Sequence, residues 1–164
     1  MRVLSLLVLC LLFSNLTYAH PIEPSVRTQV ACMAETIYAE ARGEPYAGKM
    51  AVATVIMNRT NDSRYPNTVC KVVHSGTKLS CAFQNSCNGQ KSIHKEQKAW
   101  EDSVDIAYHV IYFGERNSYI ERNHVLFFHV KNVHPDWDHV KHLVITIGGH
   151  KFYNDSKDYL IATN

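Results

Sequence analysis

Glu35-Thr36-Ile37-Tyr38-Ala39-Glu40-Ala41-Arg42-Gly43-Glu44-Pro45 closes one helix and turns the corner to the next, carrying two carboxylates at that corner. Val30, Met33, Ala34, Ile37, Tyr38 and Ala41 recur at the spacing of one helical face, which predicts a helix over 28–42 stopped by Gly43 and Pro45. At 100° per residue Glu40 falls about 90° from the centre of that apolar stripe, close to Met33, and Glu35 falls on the outer side. Glu40 is therefore expected to be partly desolvated and Glu35 solvated. Desolvation and the anion-disfavouring end of a helix dipole both raise a carboxyl's pKa, which gives Glu40 the profile of a general acid. The competing reading is a surface ion pair of Glu40 with Arg42 or Arg59. Glu44, beside Pro45, suits a supporting role as a helix cap or an Arg59 contact.

Downstream, residues 47–59 are apolar almost all round (Met50, Ala51, Val52, Ala53, Val55, Ile56, Met57), as expected of a buried central helix. Asn61 to Ser92 is rich in Asn, Ser, Gly and Lys and reads as a long irregular connection pinned by cysteines. Helical period returns over 96–113 through Trp100, Val104, Ala107, Tyr108 and Ile111, with Gly114 as the stop. Val125 to Val130 and Leu143 to Ile147 are short β-favouring runs separated by a Pro-containing turn, the second ended by Gly148-Gly149. The predicted class is α+β, helical first, with a small antiparallel sheet at the C-terminal end.

Residues 1–19 have a different texture: Arg2, an apolar run from Val3 to Phe13, then Thr17-Tyr18-Ala19. This pattern predicts a secretory signal peptide, with an uncleaved anchor as the alternative, and the mature domain would span 20–164. Roughly 145 residues make one domain with a single core. Net charge is +2 with a pI near 8.3, and the basic residues are scattered, so no nucleic-acid partner is expected. Cys10 would leave with the signal. Cys32, Cys70, Cys81 and Cys87 remain, an even number that argues for disulfides in an oxidising compartment, the periplasm or cell envelope, with three connectivities open.

The runs Ile37-Tyr38-Ala39-Glu40-Ala41-Arg42-Gly43-Glu44-Pro45 and Ala51-Val52-Ala53-Thr54-Val55-Ile56-Met57-Asn58-Arg59 resemble the paired signature of the SleB/CwlJ-type cell-wall hydrolases. Tyr65-Pro66-Asn67-Thr68-Val69-Cys70-Lys71-Val72-Val73, Phe83-Gln84, Phe128-His129, Val133-His134-Pro135-Asp136-Trp137 and Ile147-Gly148-Gly149-His150-Lys151-Phe152-Tyr153 are similar, in order, to its later blocks. The resemblance implies a lysozyme-like, lytic-transglycosylase-like fold and a single catalytic glutamate at the position of Glu40. It implies cleavage of the β-1,4 bond between N-acetylmuramic acid and N-acetylglucosamine with formation of a 1,6-anhydro ring, and no cofactor. The expected partner is the glycan strand of peptidoglycan, met by an exported monomer without stable membrane insertion, in wall remodelling or phage lysis.

A sugar groove needs flat rings and hydrogen-bonding groups, and the candidates for substrate contact are Glu44, Tyr38, Phe83, Gln84, His129, Trp137, His150 and Tyr153. Core packing is at least as good a reading for Tyr38 and Phe83. Muramidase hydrolysis is the alternative chemistry. A zinc amidase is a third, because His129, His134, His139 and His142 fall within fourteen residues. Their parity speaks against it: His129 and His134 would face opposite sides of a continued strand, and there is no His-Glu-x-x-His pattern.

Overall fold

The computed structural model describes residues 24–76, 83 and 94–155. Helix α1, Pro24–Ala41, starts four residues before the predicted 28–42, with proline at its first position, where the missing N–H costs nothing. It buries Met33, Ala34, Ile37, Tyr38 and Ala41. Pro45, in extended conformation, leads directly into α2, Tyr46–Asn61. Ala51, Val52, Ala53, Val55 and Ile56 in α2 have no exposed surface, so this helix is the centre of the domain, as its sequence predicts.

One short helix lies within the stretch that the sequence reads as irregular, and the helix predicted over 96–113 follows it. Helix α3, Val69–Val73, is tied to α1 by the Cys32–Cys70 disulfide and by Gln29, whose side-chain oxygen accepts from the Cys70 N–H at 3.0 Å. Helix α4, Gln97–Tyr108, packs along α1 and is joined to α2 by the Lys49–Asp102 ion pair, 3.1 Å. It does not continue as an α-helix to 113. A π-turn, His109–Phe113, follows and ends at Gly114 in the left-handed conformation, φ 74°. Helix α5, Ser118–Arg122, is capped by Asn117, whose side-chain oxygen accepts from the N–H groups of Tyr119 and Ile120.

The sheet has three strands, β1 (Phe127–Val130), β2 (His142–Ile147) and β3 (His150–Asn154), in the order β1-β3-β2 and antiparallel throughout. Gly148-Gly149 thus ends β2 only to turn the chain into β3, the central strand. Asn58 and Arg59 fasten the sheet's entry to α2. The Asn58 amide donates to the carbonyls of Ile120 and Val125, and the Arg59 Nε–H donates to the Leu126 carbonyl at 2.8 Å. The Arg59 guanidinium also lies over the rings of Tyr65 and Phe83. No helix among the described residues is long and apolar enough to cross a membrane. The signal-like segment, Cys81, Gln84 and Cys87 lie outside the described residues.

Candidate active site

Glu40 occupies the last turn of α1 and is half-buried, at the boundary position its helical phase predicts. Among the described residues it has no hydrogen bond or ion pair, and burial pushes its carboxyl above the ordinary value. The two arginines that could have neutralised it are engaged elsewhere. Arg42 pairs with Glu96 at 3.2 Å and lies over the Tyr38 ring; Arg59 is buried on the Leu126 carbonyl. Glu35 differs from its expected solvated state, since it pairs with His94 at 3.0 Å, and the His94 ring stacks on Trp100.

Glu44 does not contact Arg59. Its carboxylate crosses to the β2–β3 turn, where it accepts the Gly149 N–H at 2.7 Å and stands 3.6 Å from His150 Nδ1. The two glycines leave room for that carboxylate. A Cβ on Gly148, which has φ +56°, would sit 1.9 Å from Glu44 Oε2, and one on Gly149 would sit 2.7 Å from Oε1. With α1 ending at Ala41 and α2 starting at Tyr46, this clamp fixes the corner just beyond Glu40 against the sheet. That contact fits the supporting role its place beside Pro45 suggests, with Gly149 as the partner instead of Arg59. Gly148→Ala should cost about 1–2 kcal/mol from the left-handed backbone alone, and more from the clash. In a Glu44→Ala background the approach to the carboxylate is removed and only that to Pro45 Cδ at 3.0 Å remains, so urea unfolding of the double variant should show coupling above about 0.5 kcal/mol. Strictly additive losses would mean that the carboxylate does not press on Gly148.

His150 is buried on β3, and its Nδ1 has no hydrogen-bond partner among the described residues. Burial lowers its pKa against the opposing pull of Glu44, with His129 adding slightly to the lowering. The strand register separates the remaining candidates from His150. Phe127 pairs with Tyr153 and His129 with Lys151, while Phe128 pairs with Phe152 and Val130 with His150, so alternation puts His129 and Tyr153 on the face opposite His150. On that face His129 Nδ1 donates to the Val130 carbonyl at 2.9 Å, which leaves Nε2 to accept from the Tyr153 hydroxyl at 2.8 Å. Trp137 sets its ring edge-on against both His129 and Tyr153. These three side chains hold the 131–141 connection to the sheet.

Tyr38 and Phe83 follow the packing alternative. Tyr38 is 4% exposed and its hydroxyl accepts from the Glu96 N–H; Phe83 is 1% exposed, between Arg59 and Phe128. The His134 ring pairs with Asp138, and among the described residues no three His, Cys, Asp or Glu side chains are grouped to hold a metal ion. A polar cavity of 590 Å³ beside Asp62 and Arg64 and an apolar one of 310 Å³ between α1 and α4 are both lined without Glu40.

The clamp was missed in the sequence because Glu44 and Gly149 are 105 residues apart. The available signal was the Gly148-Gly149 pair straight after a β-favouring run, which marks a hairpin turn.

A family model described as cell wall hydrolase matches residues 43–153. The chain belongs to that family. It is 39% identical over 79 residues, 48% of its length, to the spore cortex-lytic enzyme of Oceanobacillus iheyensis, and spans 27% of that relative. Thus it covers only about a quarter of the curated relatives' length. Among solved structures it is similar to the catalytic domain of the germination-specific lytic transglycosylase SleB from Bacillus anthracis, with TM-score 0.60 and 26% identity. That match covers 82% of this chain and 98% of the other. The catalytic domain of the Bacillus cereus SleB protein gives TM-score 0.58 and 27% identity, covering 78% and 91%. The α+β, lysozyme-like fold expected from the sequence is the fold these neighbours share.

Proposed function

We propose that the chain is a peptidoglycan lytic transglycosylase in which Glu40 is the catalytic residue. The observation that carries this reading is a half-buried carboxyl with no partner among the described residues and a raised pKa, on a helix end fixed by the Glu44 clamp. Such a group still holds a proton where an ordinary carboxyl has lost it, and it can deliver that proton to the glycosidic oxygen as the C1–O bond breaks. The resulting Glu40 carboxylate then takes the proton of the muramyl C6 hydroxyl, and O6 bonds to C1. The proton returns to Glu40, the ring closes as the 1,6-anhydro sugar, and no water is consumed. One carboxyl serves both halves of the step, which matches a corner where the second carboxylate, Glu44, is engaged with Gly149.

The names of the similar proteins support the same chemistry, since one is a lytic transglycosylase and others are spore cortex-lytic enzymes. The signal-like N-terminus and the Cys32–Cys70 bridge support action outside the cytoplasm, in the periplasm or cell envelope. Wall remodelling and phage lysis are the roles such a chain would serve. Mass spectrometry of digested sacculi tests the reaction: anhydro-muropeptides are expected. Reducing muramic ends would replace the proposal with muramidase hydrolysis, and freed peptide stems would replace it with amidase chemistry.

A further inference from the structure

His150 breaks the ordinary rule that a buried polar atom finds a partner. The residue opens β3 and is 4% exposed, yet its Nδ1 has no hydrogen bond among the described residues. The rings packed on it supply none: Phe128 sets its plane across it with centroids 5.4 Å apart, and Phe152 lies tilted at 6.2 Å. What Nδ1 does face is Glu44 Oε1, at 3.6 Å. That separation is too long for a hydrogen bond and short enough for an ion pair. The other oxygen of the same carboxylate, Oε2, already accepts the Gly149 N–H at 2.7 Å. The clamp is thus fastened through one oxygen, and its second oxygen is turned toward a ring nitrogen that does not yet hold it.

Protonation changes what this pair can do. An imidazolium puts an N–H on both ring nitrogens and a positive charge in front of the carboxylate, in a site where water screens little. Among the described residues, the charged and titratable groups acting on the ring are Glu44, from the α1–α2 corner, and His129, from the opposite face of the sheet. Phe128 and Phe152 bring no charge. Burial keeps the ring neutral to lower pH than an ordinary histidine, and Glu44 opposes that effect. His150 therefore takes up its proton on mild acidification, the same direction of pH in which Glu40 holds its own.

We infer that His150 is a positioning residue that acts on Glu40 through Glu44: on protonation its Nδ1–H closes on Oε1, and the carboxylate, held through both oxygens, locks the corner beyond Glu40 to the sheet. The proton comes from solvent and stays on the ring, which touches no substrate bond. The inference rests on the reading of Glu40 as the catalytic acid. Its first test is an NMR titration of the His150 ring in wild type and in Glu44→Gln. Loss of the carboxylate's charge should move the ring's titration down by about one pH unit, and by reciprocity protonation strengthens the seat of Glu44 about tenfold. In wild type the Gly149 amide resonance should shift along the same titration curve as the ring.

The second test compares muropeptide release from saturating sacculi by wild type and by His150→Asn, whose amide does not titrate. Circular dichroism at each pH confirms that both proteins are folded. The ratio of wild-type to variant rate should grow about fivefold from pH 7 to the acid side of the His150 titration, the lower end of ordinary coupling between sites. A merely structural loss leaves that ratio flat with pH, so a flat ratio overturns the positioning role and leaves the Glu40 reading intact. A ring titration that Glu44→Gln does not move, or a Gly149 amide that ignores it, overturns the lock as well. Wild type that releases no muropeptides at any pH removes the Glu40 reading and the positioning role together, whether or not ring and carboxylate are coupled.

Discussion

Replacing Cys32 and Cys70 together by alanine should lower the stability of the folded chain by about 3–4 kcal/mol, the loss expected in the chain-entropy description when a loop of this size is released. The bridge joins residues 38 apart and fastens α3 to α1. Helix α3 is only five residues long, rich in valine, and below the length at which helices hold themselves in water. For a domain of this size each kcal/mol corresponds to about 2–4 °C, so calorimetry should record a fall in Tm on the order of 10 °C. The double substitution removes this bridge alone. A fall below about 2 °C would mean that the bridge contributes nothing to the folded state. Loosening at α3 should also expose Val69, Val72 and Val73, so hydrogen exchange there should rise before it rises in α2.

The parts of this molecule readable from sequence are those in which a local pattern and its burial coincide. The stripe from Val30 to Ala41 predicts α1 and puts Glu40 at its edge, and the all-apolar run from Met50 to Met57 predicts the central helix. Both statements need only the 3.6-residue period and the glycine and proline that interrupt it. Strand β3 escapes the same reading. His150-Lys151-Phe152-Tyr153-Asn154 has neither a clean alternation nor a β-branched run, and it is a strand because β1 and β2 flank it on both sides. Helix α3 is hidden likewise, since Gln29 and the disulfide hold it rather than propensity. The expected Arg59 partner for Glu44 fails for a related reason: a guanidinium buried at the α2–sheet junction is satisfied by a backbone carbonyl and two aromatic rings. Family resemblance supplied the blocks around Trp137 and His150, but only the strand register showed that His150 belongs to one face with the clamp and His129 and Tyr153 to the other.

Glu40→Gln should reduce sacculus cleavage by about 10²–10⁴-fold, the usual worth of a general acid, while making the protein more stable near neutral pH. The two effects have one cause. In the unfolded chain this carboxyl titrates near 4.5, and in the folded chain burial moves it higher. Across the interval between those values the folded protein keeps a proton that the unfolded protein has released, so stability declines as pH rises through it and stays lower above it. Glutamine has no proton to lose. The stability gain of Glu40→Gln should therefore be present at pH 7, shrink on acidification, and vanish below about pH 4.5, where wild type is protonated in both states. Wild-type kcat/KM should fall on the alkaline side as Glu40 loses its proton, because the carboxylate cannot donate to the leaving oxygen. Urea unfolding of both proteins at several pH values, beside anhydro-muropeptide yields, measures all three. A variant that cleaves at near-wild-type rates would remove Glu40 from the reaction. A variant inactive but less stable at neutral pH would show that Glu40 holds the helix end together, and that its loss of activity comes from a displaced corner rather than a missing proton.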